Sequence, residues 1–408
     1  MLYARFAASR IRKSLRDTPV VALTGPRQSG KTTLARQFAS KTRRYLNLDD
    51  AGTLAAARHD PVGFINDIDR AVIDEIQRAP ELMLAIKQSV DQDRRAGRFL
   101  LTGSANLQTL PTNRESLAGR IESLELYPLS QAELRRAARP TFLTAAFAGS
   151  APRDVVPLTT NQLIGSVTSG GYPEVIARKT DKRRLDWCRA YLNAIVERDI
   201  PDVAALDKLA RFPRLLEVTA HLAGQLVNLS EIARQVSLDY KTIDHYLSVL
   251  ERLYLVRRIA PWHRNELKRL VKTSKLHFVD TGLLTALRHQ RAARLRDERA
   301  LFGPVLESFV FGELLKIASC TSEPIYFFHY RDKEQLEVDF VLENARGEVV
   351  GIEVKAAASV QAADFRGLER LREACGREFK QGIVLYSGDN LWSFGPQLRA
   401  APMASLWS

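Results

Sequence analysis

Residues Gly25-Pro26-Arg27-Gln28-Ser29-Gly30-Lys31-Thr32 fit the pattern G-x-x-x-x-G-K-[ST] at every fixed position. The glycines let backbone N–H groups wrap phosphates where a helix begins. Lys31 sets a point charge on the outer phosphates, and the Thr32 hydroxyl can hold Mg²⁺. With Thr33, these are the expected nucleotide contacts. A magnesium nucleotide also needs a carboxylate at the end of a neighbouring strand, and Ala71-Val72-Ile73-Asp74-Glu75 supplies a pair. Asp74 would orient the Mg²⁺ shell, and Glu75 would polarise an attacking water. The next apolar run ends in Leu101-Thr102-Gly103-Ser104-Ala105-Asn106, where Ser104, in preference to Asn106, would sense the terminal phosphate.

A second set of chemistry-bearing residues lies near the C-terminus. Leu336-Glu337-Val338-Asp339-Phe340-Val341-Leu342 is followed by a turn and by Val349-Val350-Gly351-Ile352-Glu353-Val354-Lys355. On strands alternate residues share a face, so Glu353 and Lys355 project together and a hairpin can bring Asp339 beside them. Two such carboxylates can hold Mg²⁺ or Mn²⁺. Lys355 can position or help deprotonate a water for attack on a phosphodiester. An alternating charged hairpin built for solubility is the plainer reading of the same residues.

The elements that must position these groups follow from periodicity. Val20-Val21-Ala22-Leu23 reads as a strand running into the Gly25 loop, and residues 31–39 read as the helix after it. Further apolar runs at 45–48, 71–73, 99–101 and 121–126, separated by helical patterns such as 81–91, imply a mostly parallel sheet covered on both faces. Residues 131–207 lose the strand signal and read as a helical lid or connector. Residues 214–258 then read as helix, helix-turn-helix and wing. Ser230 and Asp239 are the expected N-caps, and Ile243, Leu247, Leu250 and Leu253 form one apolar stripe. Lys241, Thr242 and His245 would be exposed near the start of the second helix, with Asp239 and Asp244 beside them opposing phosphate contact. A helix at 305–317 and strands at 325–330, 336–342, 349–354 and 382–386 complete the chain. The expected segments are thus 1–135, 136–207, 208–262 and 263–408.

Composition narrows the class. With 408 residues, 45% hydrophobic and 26% charged, the chain is no disordered polymer and has length for more than one core. No 18-residue apolar span is present and Met1-Leu2-Tyr3-Ala4-Arg5-Phe6 lacks the core of a signal peptide, so a cytoplasmic protein without membrane contact is expected. Cys188, Cys320 and Cys375 lie far apart with no CxxC pair, which points to core thiols. The formal charge is +13, and between positions 251 and 300 thirteen Lys and Arg face five acids. That tract, with Arg257 and Arg258 at its head, is either a nucleic-acid face or a solvated basic surface.

At the N-terminal end the chain resembles the AAA+ class of P-loop ATPases, and within it a prokaryotic family that pairs Leu101-Thr102-Gly103-Ser104 with Ser116-Leu117-Ala118-Gly119-Arg120 and Tyr127-Pro128-Leu129-Ser130. The resemblance covers about residues 1–135. It implies ATP and Mg²⁺ as ligands and an α/β core with the phosphate-loop strand central. It also makes Arg120 a candidate arginine finger, acting in trans if the chain forms a homo-oligomer; a structural ion pair is the alternative for Arg120. Over about residues 300–390 the chain resembles the PD-(D/E)XK nuclease superfamily, with Val338 where the family has Pro, and Glu307 suits that family's carboxylate on the first helix. Domains of this type, of unknown function, commonly follow this kind of ATPase.

The resemblances together imply an ATPase that couples ATP to DNA binding or processing through a winged helix and a nuclease-like α/β domain. The alternative is a nucleotide-dependent switch that binds DNA or a protein partner and cleaves nothing. A kinase acting on a small substrate is a weaker reading, since Glu75 and the segment at 101–104 suit water activation and phosphate sensing.

Overall fold

The computed structural model describes residues 2–103, 119–150, 155–203, 209–265, 269 and 273–408. Two compact units divide the chain: Ala4–Leu129 forms one, and Ser130–Ser408 with the residues up to Tyr3 forms the other.

In the first unit, β1 (Val20–Thr24), β2 (Arg44–Asn47), β3 (Ala71–Asp74), β4 (Phe99–Thr102) and β5 (Ile121–Glu125) lie in the order β2-β3-β4-β1-β5, every pairing parallel. Alternation explains why β1, β3 and β4 read as apolar runs. Val20, Ala22, Ile73, Phe99 and Leu101 pack into one core, while Val21, Leu23, Val72 and Leu100 pack into another. Both faces are therefore covered, as parallel sheets require. The helix Lys31–Arg36 is shorter than the 31–39 expected, because the amides of Gln37, Phe38 and Ala39 bond three residues back and tighten the chain out of α geometry.

In the second unit, β6 (Gln225–Leu226), β7 (Val256–Pro261), β8 (Lys275–Phe278), β9 (Ile325–Arg331), β10 (Glu337–Asn344), β11 (Val349–Lys355), β12 (Phe379–Tyr386), β13 (Trp392–Ser393) and β14 (Leu398–Pro402) form one mixed sheet in the order β13-β14-β12-β11-β10-β9-β7-β8-β6. The protein is thus α/β throughout, a parallel core plus a mixed sheet. The helix Arg299–Ala318 is buried over most of its length from Phe302 onward, and helices Thr160–Ser169 and Asp181–Ala194 fill the expected connector.

The segment expected as a wing is part of this sheet. β7 pairs antiparallel with β8 and, at Ala260↔Phe328 and Pro261↔His329, parallel with β9. Val256–Ile259 thus pair with β8 and only the last two residues of β7 reach β9, which joins the segment to the rest of the sheet. Ahead of β7, helices Leu229–Val236 and Tyr240–Arg252 meet across Ser237 at φ 58°. Asp239 caps the second, its carboxylate accepting from Thr242 N at 2.9 Å, and Ile243, Leu247, Leu250 and Leu253 are buried. The first helix starts earlier than expected: its cap is Asn228, which accepts from Glu231 N at 3.1 Å, and Ser230 lies inside the helix.

One buried carboxylate ties the connector to the strand region. Asp280 Oδ1 accepts from Gly282 N at 3.0 Å and Leu283 N at 3.2 Å, capping helix Thr281–Leu287, while Oδ2 accepts from Gly171 N at 2.7 Å. Replacing it with alanine strands three N–H groups in a dry setting, so Asp280→Ala is expected to cost about 2–4 kcal/mol, measured by urea denaturation. Cys188 and Cys375 are buried and Cys320 partly so, all as free thiols. Among the described residues, no helix is long and apolar enough to cross a membrane.

Candidate functional site: a phosphate loop and a carboxylate cluster

The phosphate loop leaves β1 at Gly25 with φ +143°, where a Cβ would collide with the carbonyl of Leu126, so only glycine fits. Gln28 (φ 59°) and Gly30 (φ 97°) turn the loop into helix Lys31–Arg36, whose cap residue Gly30 offers no side-chain acceptor to the first-turn amides. Pro26 is buried; Arg27, Gln28 and Thr33 are exposed. Lys31 is 4% exposed, and its Nζ donates to Gly25 O at 3.0 Å and Pro26 O at 2.7 Å. Arg5 braces the loop, donating to Ser29 O at 2.7 Å and to Tyr127 O at 2.6 Å.

Asp74, at the end of β3, is buried and gathers three hydroxyls. Thr32 Oγ1 donates to it at 3.2 Å, Tyr45 OH at 2.6 Å, and Thr102 Oγ1 by a short bond. Burial, reinforced by the bond to Asp74, pushes the Tyr45 hydroxyl up to about 12, so it stays a donor. Glu75 follows in the left-handed region at φ 61°, its N–H donating to Thr102 Oγ1 at 3.1 Å and its carboxylate accepting from Gln77. The ends of β1 and β3, on either side of β4, thus bring Thr32, Asp74 and Glu75 together. Thr102 orders both acids, a part that Tyr45 shares for Asp74. Sequence reasoning assigned Tyr45 and Thr102 no role. Their only local signal is position, one inside a strand and the other ending one.

These groups suit a magnesium nucleotide. Ser29 Oγ is fully buried without a hydrogen-bond partner among the described residues, Lys31 is a buried cation at the loop, and Thr32 and Asp74 offer adjacent hard oxygens. Ser104 falls outside the described residues. Arg120 is described, and it pairs within its own unit: Nε donates to Asp91 Oδ1 at 2.6 Å, a bond that holds the Asp91 carboxyl below its usual range.

The C-terminal residues form a tight ionic cluster. Asp339 N donates to Glu353 Oε2 at 3.3 Å, and Val354 N donates to Asp339 Oδ2 at 2.9 Å. Lys355 Nζ donates to Glu353 Oε1 at 3.0 Å. Glu307, on helix Arg299–Ala318, does not meet these acids directly; Lys275 of β8 stands between, paired with Glu307 and donating to Asp339 Oδ1 at 3.0 Å. Burial and the Asp339 charge raise the Glu307 carboxyl well above its normal range and that of Glu353 to about 8. His277, fully buried against Phe311 and Phe340, is held neutral by desolvation. Among the described residues, no three His, Cys, Asp or Glu side chains are placed to share a metal ion. Lys275, read in the sequence as part of a basic tract, is the residue that was missed.

Part of that tract is taken up by ion pairs within the chain. Arg258 pairs with Asp244 and, at 2.8 Å, with Glu251; Arg269 pairs with Glu343 at 2.9 Å and lies over Trp262 and Phe328; Arg294 pairs with Glu298. Arg258, expected to face phosphates, is thus engaged by two carboxylates of its own chain. Its ion pair also takes up the Asp244 charge that would oppose phosphate binding. Lys268 and Lys272 lie outside the described residues.

A parallel sheet with a G-x-x-x-x-G-K-T loop after β1 and an acid pair at the end of β3, with β4 between them, defines a P-loop ATPase, and the model of the AAA domain family matches residues 17–135. The chain belongs to the family of two mycobacterial proteins, the uncharacterized proteins Rv2008c of Mycobacterium tuberculosis and Mb2031c of Mycobacterium bovis. It is 30% identical to each over 361 residues, which span 88% of this chain and 75% of the relative. Two domains of unknown function match further along, DUF8612 at 161–294 and DUF4143 at 302–406. Among solved structures, AMPPCP-bound DnaA from Aquifex aeolicus is 14% identical, aligned over 60% of this chain and 87% of that one with a TM-score of 0.30. RuvB of Thermotoga maritima is 20% identical over 62% and 85%, with a TM-score of 0.27.

Proposed function

We propose that ATP binding and hydrolysis in the first unit control the binding of duplex DNA by the helix pair of the second. Thr32 and Asp74 would hold Mg²⁺, which when bound supplies charge stabilisation at the transferred phosphoryl group. Lys31 neutralises outer phosphate charge, and Glu75 accepts a proton from the attacking water, its backbone fixed by Thr102.

The DNA reading is carried by one observation: the exposed start of helix Tyr240–Arg252. Tyr240 is 55% exposed, with Lys241 and His245 also exposed, while the opposite side of the helix is packed. An amphipathic second helix with a basic and aromatic outer face suits a major groove, and the Arg258 pair removes one of the two acids that weighed against it. In fluorescence anisotropy with a labelled duplex, Lys241→Ala/His245→Ala is expected to weaken binding about tenfold and to lower the slope of log K against log salt by about 1–2. Unchanged affinity with a flat salt response would reject DNA and turn the exposed face into a protein-docking surface.

A further inference from the structure

The resemblance at the C-terminus implies a divalent metal among Glu307, Asp339 and Glu353, and the side chains present do not fit one. Magnesium or manganese needs carboxylate oxygens with free lone pairs converging on one point, most of them close to 2.1 Å from the ion. Here Asp339 and Glu353 have all four carboxylate oxygens engaged by nitrogen donors. Lys275 Nζ and Val354 N take the two of Asp339, at 3.0 and 2.9 Å. Lys355 Nζ and Asp339 N take the two of Glu353, at 3.0 and 3.3 Å. The ammonium of Lys275 is paired with both Glu307 and Asp339 and so bridges them.

Lys275 is poorly placed to be a visitor at this site. Its side chain is 8% exposed, β8 is paired on both edges by β7 and β6, and the stem enters from the strand that follows the helix pair. A cleft of about 340 Å³ bordered by Gly224, Lys275, His329, Arg331 and Glu337 opens beside it, so burial is not the result of a closed interior alone.

We infer that Lys275 is a tethered cation standing where a divalent metal would bind, so that the C-terminal carboxylate cluster holds the sheet together and takes up no metal of its own. Lysine fills this place through charge: it supplies a positive centre between Glu307 and Asp339 that no exchange with solvent can remove. The position also makes β8, which follows the helix pair, a structural part of the cluster.

The experiment uses the full-length protein without nucleotide and Mn²⁺ as the probe, with bound ion counted by the loss of the free Mn²⁺ electron paramagnetic resonance signal. Wild type and Asp339→Asn are expected to bind Mn²⁺ equally, because the cluster contributes nothing in either. Lys275→Met, which keeps the stem and removes the charge, is expected to gain one site per chain. That site should vanish in Lys275→Met/Asp339→Asn, and Mn²⁺ should raise the melting temperature of Lys275→Met alone. Asp339-dependent binding of Mn²⁺ by wild type would overturn the inference whether or not the variant folds. A folded Lys275→Met that gains no site would overturn it as well, since the cluster would then be no latent metal position.

Discussion

Lys31→Ala is expected to reduce ATP hydrolysis by about 100- to 1,000-fold, the range seen when one preorganised donor to transition-state charge is removed. The side chain is almost fully buried against its own loop, where its ammonium donates to the carbonyls of Gly25 and Pro26. A cation in that position needs no long-range search to meet outer phosphates. Its loss removes charge that the backbone N–H groups of the loop cannot replace. Phosphate release measured alongside a thermal melt separates lost chemistry from lost folding. Normal turnover by a folded Lys31→Ala protein would remove the loop from the mechanism.

Glu75→Gln has the second large effect, and a different signature. The amide keeps the side-chain shape but cannot take a proton, so turnover is expected to fall about 10²- to 10⁴-fold while ATP affinity stays close to wild type. The structure gives a reason for that split. Asp74, beside Thr32, lies on the strand itself, whereas Glu75 lies past the strand end in the left-handed region, its own N–H fixed on Thr102. A strained backbone at this residue costs about 1–3 kcal/mol, which the surrounding bonds must sustain. Equal losses of binding and turnover in Glu75→Gln would assign the residue to the Mg²⁺ shell instead.

How much of this was legible in the sequence depends on how local each feature is. The phosphate loop and its flanking strand and helix are contiguous, and their pattern is set by the backbone chemistry of eight residues. The inner strands of the parallel sheet were legible because both of their faces are buried, as Ala71–Asp74 illustrates. Asp239 was legible as a cap, while Ser230 was not the cap of its helix, since Asn228 two residues earlier offers an equally good side-chain oxygen and propensity alone does not choose between them.

Long-range pairing left no local trace. Nothing near Ala260 and Pro261 announces that they pair with Phe328 and His329, so the link from the expected wing to β9 went unread. For the same reason the sequence counted Arg258, Arg269 and Lys275 as surface charge. Their partners Asp244, Glu343, Glu307 and Asp339 are brought to them by folding, and a count of charges along the chain does not contain that information. Tyr45 and Thr102 escaped notice likewise: each meets Asp74 from a different strand of the sheet.

The central claim, that nucleotide state controls DNA binding, is tested most directly by the affinity of Glu75→Gln for a labelled duplex at fixed salt, with saturating ATP and with saturating ADP. The variant holds ATP without consuming it, so the two states can be compared at equilibrium. Coupling of the usual size predicts affinities that differ by about 5- to 150-fold. Equal affinity in ATP and ADP would contradict the account, leaving an ATPase whose hydrolysis serves something other than DNA binding.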